Sequence, residues 1–86
     1  MSDGAGEGLE AEIRAIVAEV AEVAESEITP EGALEDVGVD SLLAVEIAVH
    51  VEERYGVQFD EAELADVRTF GQLVQLARRR LASGPA

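Results

Sequence analysis

The apolar residues of this chain recur at helical spacing in several separate stretches. The first stretch begins at Leu9, where apolar residues return every three or four positions between acidic ones. This pattern predicts one long amphipathic helix with a buried stripe and a solvated acidic back. The stripe consists of Leu9, Ile13, Ile16, Val17, Val20, Val23 and Ala24.

The second stretch, from about Ser41 to Tyr55, has apolar residues on two opposite sides of the predicted helix, which ends at Gly56. A small domain has one core, so we expect one side to be buried and the other to be exposed as a docking surface. The core side consists of Ala44, Ile47, Ala48, Val51 and Tyr55. The other side, which we call the docking face, consists of Leu42, Val45, Glu46, Val49 and Glu53.

Two capping signals predict the remaining helices. Asp60 with Glu63 is typical of the start of a short helix over about Glu61 to Ala65. Thr69 with Gln72 is a second capping box, and it opens a last helix. The apolar face of that helix consists of Phe70, Leu73, Val74, Leu76, Ala77 and Leu81.

The segment from Glu25 to Val39 lacks helical periodicity, although a single turn is expected at Thr29-Pro30-Glu31. Long connections without a full element tend to be functional in compact domains. We expect Ile28, Leu34 and Val37 to hold this loop against the helices. The whole pattern predicts an all-α fold with three longer helices, a short helix before the last, and a long first loop.

The domain is expected to span residues 9–82. Residues 1–8 are Gly-rich and are expected to form a disordered tail, and residues 83–86 a C-terminal tail. The start of the chain has neither the basic residues nor the apolar run of a signal peptide, and no segment approaches the roughly 18 apolar residues of a membrane span. We therefore expect a cytoplasmic monomer.

Charge narrows the classes of partner. Nineteen acidic residues oppose six arginines and no lysine, which gives a net charge of −13. This balance argues against nucleic acid and anionic membranes and favours protein partners with basic patches. Since the chain has no cysteine, it can form neither disulfides nor thiolate metal sites, and any thiol chemistry must come from an added group.

The candidate chemistry lies in Gly38-Val39-Asp40-Ser41-Leu42-Leu43, where the loop meets the second helix. Asp40 and Ser41 both have short side-chain oxygens suited to capping the helix, and a Ser41 that serves as the cap would have no chemical role. Alternatively, Ser41 is an attachment point, because free N–H groups at a helix start favour a phosphate ester. Spacing alone leaves both interpretations open.

Catalysis by the chain itself has no support in the sequence. The only histidine, His50, is nine residues from Ser41 and on a different side of the helix, so the two cannot form a catalytic pair as neighbours on one helix. No segment has the spacing of a calcium loop or of another metal site. We therefore expect neither an enzyme nor a metal protein.

The segment from Leu34 to Glu46, with Asp40-Ser41-Leu42 behind Gly38 and ahead of an acidic helix, resembles the acyl carrier protein signature. The resemblance extends from about Leu9 to Leu81 and implies a four-helix acyl-carrier-like bundle. It implies that Ser41 carries a 4'-phosphopantetheine arm, which a phosphopantetheinyl transferase donates from coenzyme A. The thiol of the arm would hold acyl groups as thioesters. Acyltransferases, ketosynthases and other enzymes would bind Asp40 and the docking face.

Two alternatives remain open at this point. A peptidyl carrier shares the fold and the serine, although Gly38-Val39-Asp40 departs from the Gly-Gly-His/Asp pattern of that family and favours the acyl type. A plain acidic helical adaptor without a prosthetic group is the alternative of a different class. Within the acyl carriers, Leu43 and an Arg-rich last helix favour a polyketide or other specialised pathway over housekeeping fatty-acid synthesis.

Overall fold

The computed structural model describes residues 4–83 of the chain, with side chains over residues 8–82. The predicted all-α fold is confirmed, including the short helix before the last and the long first loop. Two single-turn 3₁₀ helices, Glu25–Glu27 and Leu34–Val37, occupy part of that loop. The α-helices are α1 (Gly4–Ala21), α2 (Ser41–Tyr55), α3 (Glu61–Ala65) and α4 (Phe70–Ser83).

One core joins the three longer helices, and the loop contributes Ile28, Leu34 and Val39 to it. Burying a large apolar side chain stabilises the fold by about 1.5–3 kcal/mol, so each long helix is held by its apolar stripe. Because α2 packs its core side against α1 and buries it in the shared core, its opposite side faces away from the core. The most completely buried side chains are Phe70, Ile13, Ile47, Val17 and Val51.

The bounds of α1 differ from the predicted ones at both ends. The helix begins at Gly4, inside the segment expected to be a disordered tail, because adding a turn to a packed helix avoids the cost of nucleation. Residues 1–3 lie outside the described residues. The helix ends at Ala21, since Glu22 takes a left-handed conformation with φ 60° and the Val23 N–H donates to the Ala18 carbonyl at 3.0 Å. Val23 still packs on the core, because this turn folds it back.

α4 extends through Ser83, one residue beyond the end of the predicted domain. Residues 84–86 lie outside the described residues, and the predicted domain bounds stay a prediction. Both predicted capping boxes are present, with two side-chain hydrogen bonds at Thr69 and Gln72 and one at Asp60 and Glu63. Thr69 and Gln72 exchange two hydrogen bonds of 3.1 Å, and Glu63 accepts from the Asp60 N–H at 3.4 Å.

The long loop is fastened to the start of α4 by backbone hydrogen bonds. The N–H of Leu34 donates to the Arg68 carbonyl at 2.9 Å, and the N–H of Gly71 donates to the Pro30 carbonyl at 2.9 Å. Ile28 and Leu34 are buried and Val37 is half-buried, as predicted. The loop is therefore a fixed part of the bundle, and it determines where the first residue of α2 lies.

We expect Gly71→Ala to destabilise the fold. A Cβ at this position would lie 2.9 Å from the Pro30 carbonyl oxygen, so the loop would have to move away from α4. Overpacking of this kind costs about 1–3 kcal/mol, part of which the better helix propensity of alanine offsets. Thermal unfolding should show a lower Tm. Gly8→Ala is the matched control, because open space surrounds Gly8, and an equal loss of Tm in both variants would contradict the close approach.

A polar tie links α1 to the end of α2. The guanidinium of Arg54 donates to the two carboxylate oxygens of Glu12 at 3.2 and 3.4 Å, and the Tyr55 hydroxyl donates to the same carboxylate. The hydrogen bond from Tyr55 and the one from Arg54 lower the pKa of Glu12. Burial, together with the bond to Glu12, raises the pKa of Tyr55 to about 12.

This tie predicts a loss of stability at alkaline pH. The pKa of Tyr55 is higher in the folded chain than in the unfolded one, so its stabilising contribution is complete below about pH 10 and is lost between about pH 10 and 12. The loss should be on the order of 1 kcal/mol, because the site is partly open to solvent. Tyr55 is the only tyrosine, and the chain has no lysine or cysteine. The free energy of unfolding, measured with urea, should therefore fall over this pH range in the unaltered chain but not in Tyr55→Phe. The same pH dependence in both proteins would contradict the assignment to Tyr55.

Candidate functional site

Asp40 caps the start of α2. Its backbone is extended, and its carboxylate Oδ1 accepts from the Leu43 N–H at 2.9 Å. The Asp40 carbonyl also accepts from the Ala44 N–H at 2.9 Å. Ser41 is thus the first residue within the helix, and its hydroxyl is not needed for the cap.

The Ser41 side chain is exposed at this end of the bundle. Within the part of the chain that the structure describes, its hydroxyl makes no hydrogen bond. The interpretation of Ser41 as a helix cap is therefore wrong, because Asp40 supplies that oxygen. A hydroxyl that is exposed and has no hydrogen-bond partner can be reached by a modifying enzyme.

Two neighbouring residues hold Ser41 in this place. Gly38 has φ 89° and ψ 13°, a left-handed conformation that ends the second 3₁₀ helix and turns the chain towards α2. Val39 is only 4% exposed, and its N–H donates to the Leu34 carbonyl at 3.0 Å. The serine therefore lies two residues after a buried valine and directly after the residue that caps the helix.

The docking face is exposed as predicted. Leu42 is 72% exposed, Val45 51% and Val49 43%, and Glu46 and Glu53 are exposed beside them. On the opposite side of α2, Ile47, Ala48 and Val51 are buried. The structure thus brings Asp40, Ser41 and the docking face together at one end and along one side of α2. The role of this surface in partner binding stays a prediction.

A cleft of about 520 Å³ opens beside Ser41. Its volume was not predictable from the sequence, because its walls come from segments that are distant along the chain, from Ala33 to Arg68. It lies between the loop, the first turns of α2, α3, and the link from α3 to α4. Its lining residues are Ala33, Leu34, Glu35, Val39, Asp40, Ser41, Ala44, Val45, Glu61, Leu64, Ala65, Val67 and Arg68.

The surroundings of Ser41 fit a phosphate ester. The first N–H groups of a helix carry a partial positive charge and lack helical partners, and those of Ser41 and Leu42 are in this position. The carboxylate of Asp40 opposes this charge, although it is directed at the Leu43 N–H. A phosphate joined to the Ser41 oxygen would therefore lie beside backbone donors and in contact with solvent.

His50, possible metal-ligand groups and possible membrane spans were each compared with the structure. His50 is exposed, and it lies nine residues and about 13 Å along α2 from Ser41. Among the described residues, no three His, Asp or Glu side chains come close enough together to hold a metal ion. No helix within residues 4–83 has both the length and the apolar content of a membrane span.

Similarity to known proteins agrees with this geometry. The family model described as a phosphopantetheine attachment site matches residues 11–77. The chain is 46% identical over 63 residues to a meromycolate extension acyl carrier protein of Mycobacterium leprae, a match that covers 72% of this chain and 55% of the relative. It therefore spans little more than half the length of that relative. It is 37% identical over 71 residues to polyketide-8 synthase acyl carrier protein 2 of Streptomyces avermitilis, covering 81% of this chain and 82% of the relative.

A solved structure supports the same fold. The acyl carrier protein of Thermotoga maritima superposes with a TM-score of 0.83 over 96% of this chain and 98% of its own, with 16% identity. The family match over residues 11–77 identifies the helical bundle as a domain of the phosphopantetheine-attachment class. The chain belongs to the acyl carrier protein family.

Proposed function

We propose that this chain carries acyl intermediates as thioesters on a 4'-phosphopantetheine arm joined to Ser41. The observation that supports this most directly is the state of the serine. Its hydroxyl is exposed at the start of α2 and has no hydrogen-bond partner within the described residues, because Asp40 caps the helix. A serine used only for capping would have its oxygen on a backbone N–H.

The attachment step is a substitution at phosphorus. On a phosphopantetheinyl transferase, the Ser41 Oγ attacks the β-phosphate of coenzyme A, so that a new O–P bond forms. The bond to the nucleotide half of coenzyme A breaks, and the hydroxyl proton leaves through a base of the transferase. The arm supplies the thiol that this cysteine-free chain lacks. The chain itself contributes the nucleophilic oxygen and the backbone donors beside the resulting phosphate.

The docking face is the surface that partner enzymes would bind. Three apolar side chains provide contact area, and the carboxylates of Glu46 and Glu53 provide charge for partners with basic patches. Such contacts speed encounter and set orientation more than they add affinity. Weak, fast binding suits a carrier that must leave one enzyme for the next, whether a transferase, an acyltransferase or a ketosynthase.

A polyketide or other specialised pathway is favoured over housekeeping fatty-acid synthesis. The names of the two curated relatives refer to polyketide synthesis and to meromycolate extension. Leu43 is half-buried against the core, so an apolar residue there suits the packing as well as the pathway. The runner-up is a peptidyl or aminoacyl carrier, which would use the same serine with a different cargo.

Mass spectrometry of the purified chain tests the carrier function. After incubation with coenzyme A and a phosphopantetheinyl transferase, the protein should gain the mass of one phosphopantetheine group. Proteolysis should place that group on the peptide that contains Ser41. An unmodified chain would support the adaptor without a prosthetic group, and an arm on another residue would contradict the site. Loading the arm in a cell extract that contains the pathway enzymes would distinguish an acyl from an aminoacyl cargo.

A further inference from the structure

The cleft beside Ser41 contains one cationic side chain, that of Arg68. Other arginines of the described chain are engaged within the fold, with Arg54 on Glu12 and Arg80 on Glu63. Within residues 8–82, the Arg68 side chain forms no ion pair. Its guanidinium is therefore available to a group that enters the cleft.

The remaining lining suits an acyl chain. Val39, Ala44, Leu64 and Val67 supply apolar walls, and a volume of about 520 Å³ lies within the range of about 300–1,000 Å³ for small-molecule pockets. Ser41 is itself part of the wall. A group tethered to this serine starts at the mouth of the cleft and can fold back into it.

We propose that Arg68 makes this cleft selective for acyl chains that carry ketone or hydroxyl oxygens over saturated chains of the same length. This selectivity rests on the proposed function, because the cargo reaches the cleft from an arm on Ser41. It identifies the class of cargo that the chain prefers among those a carrier could hold.

The donors and acceptors of the lining explain the preference. Carboxylates accept hydrogen bonds only, whereas a guanidinium has five N–H donors and no acceptor. Among the charged side chains of the cleft, Arg68 alone can donate to a ketone oxygen, because the others are Glu35, Asp40 and Glu61. A saturated chain would cover part of the guanidinium with no acceptor in exchange, which is unfavourable.

The same set of charges disfavours an anionic cargo. Three carboxylates share the lining with one guanidinium, so a cargo carboxylate would be attracted by Arg68 and repelled by the others. A neutral oxygen gains the hydrogen bond without that repulsion. The preferred cargo is therefore polar but uncharged.

Protection of the thioester provides the measurement. The full chain is loaded by the transferase from the coenzyme A thioesters of octanoate, 3-oxooctanoate and 5-oxooctanoate. Protection is defined for each acyl group as its hydrolysis rate on free pantetheine divided by its hydrolysis rate on the protein. The intrinsic reactivity of the acyl group cancels in this ratio. At least one oxo chain should be protected about twofold to tenfold better than octanoyl, as expected for one net hydrogen bond. Chemical shifts of the Val39, Ala44 and Leu64 methyl groups should move with that protection.

Three variants assign the effect to the guanidinium. Arg68→Ala should abolish the difference between the oxo and saturated chains, and Arg68→Lys should restore part of it. Arg78→Ala is the matched control, since it removes a charge from α4 without touching the cleft. It should leave the difference unchanged.

Several results would overturn the proposal. Equal loss of protection for all three acyl groups in Arg68→Ala would mean that Arg68 contacts the arm or supports the fold instead of recognising the oxygen of the acyl chain. Equal protection of oxo and saturated chains in the unaltered protein would also overturn it. A chain that takes up no arm overturns the carrier function and the selectivity with it, whereas a loaded chain without a preference overturns the selectivity alone.

Discussion

The Ser41→Ala variant is expected to gain no mass when it is incubated with coenzyme A and a phosphopantetheinyl transferase, while the unaltered chain is converted completely. The alanine removes the hydroxyl oxygen that is proposed to form the bond to phosphorus. Its stability should stay within about 0.5 kcal/mol of the original, because Asp40 supplies the helix cap and the Ser41 side chain is exposed. Intact-mass spectrometry and thermal unfolding measure the two effects.

Ser26→Ala is the matched control for this substitution. Ser26 is also an exposed serine, but it lies in the first 3₁₀ helix, away from α2. This variant should be loaded like the original chain. An arm that still appears on Ser41→Ala would show that another residue is the acceptor, and a large loss of stability would show that the serine supports the fold.

Reversing the charges of Glu46 and Glu53 to arginine should lower kcat/KM for transfer to a ketosynthase or acyltransferase by at least about tenfold at low salt. Electrostatic steering raises association rates by about 10- to 1,000-fold, and two reversals on the docking face turn attraction into repulsion. Glu46→Arg alone should give a smaller effect in the same direction. The free energy of unfolding should change little, because both side chains are exposed.

The control for this prediction is a charge reversal outside the docking face. Glu19→Arg changes the net charge as Glu46→Arg does, and Glu19 is exposed on α1. It should leave transfer nearly unchanged. The deficit of the docking-face variants should shrink as salt screens the charges. A deficit that is independent of salt, or equal in Glu19→Arg, would contradict recognition through this surface.

The elements most accurately predicted from the sequence are those with local signals at both ends. The bounds of α2 agree with the prediction because Asp40 caps its start and Gly56, with φ 70°, ends it through a hydrogen bond of 2.8 Å to the Glu52 carbonyl. The alternation of two apolar faces on α2 also needed only helical geometry. The position of Ser41 relative to its helix and to the docking face was therefore predictable.

Features that depend on distant segments were not predictable. Arg80 pairs with Glu63 and lies 3.5 Å from Asp60, so it links α4 to α3, and no local pattern in the sequence indicates this pairing. Nothing in the sequence distinguishes Arg68 from a solvated charge before a helix, whereas the fold brings it to the same cleft as Ser41. The left-handed turn at Glu22 was missed because glycine is the usual residue there.

The two-sided character of α2 has a consequence for how such a chain can diversify. Its inward side chains determine whether the domain folds, whereas its outward ones are largely surrounded by water and add little to the packed interior. Substitutions at exposed positions usually change stability by no more than about 0.5 kcal/mol. A gene for this chain could therefore accumulate changes that redirect it to new enzymes without first acquiring compensating mutations in the core.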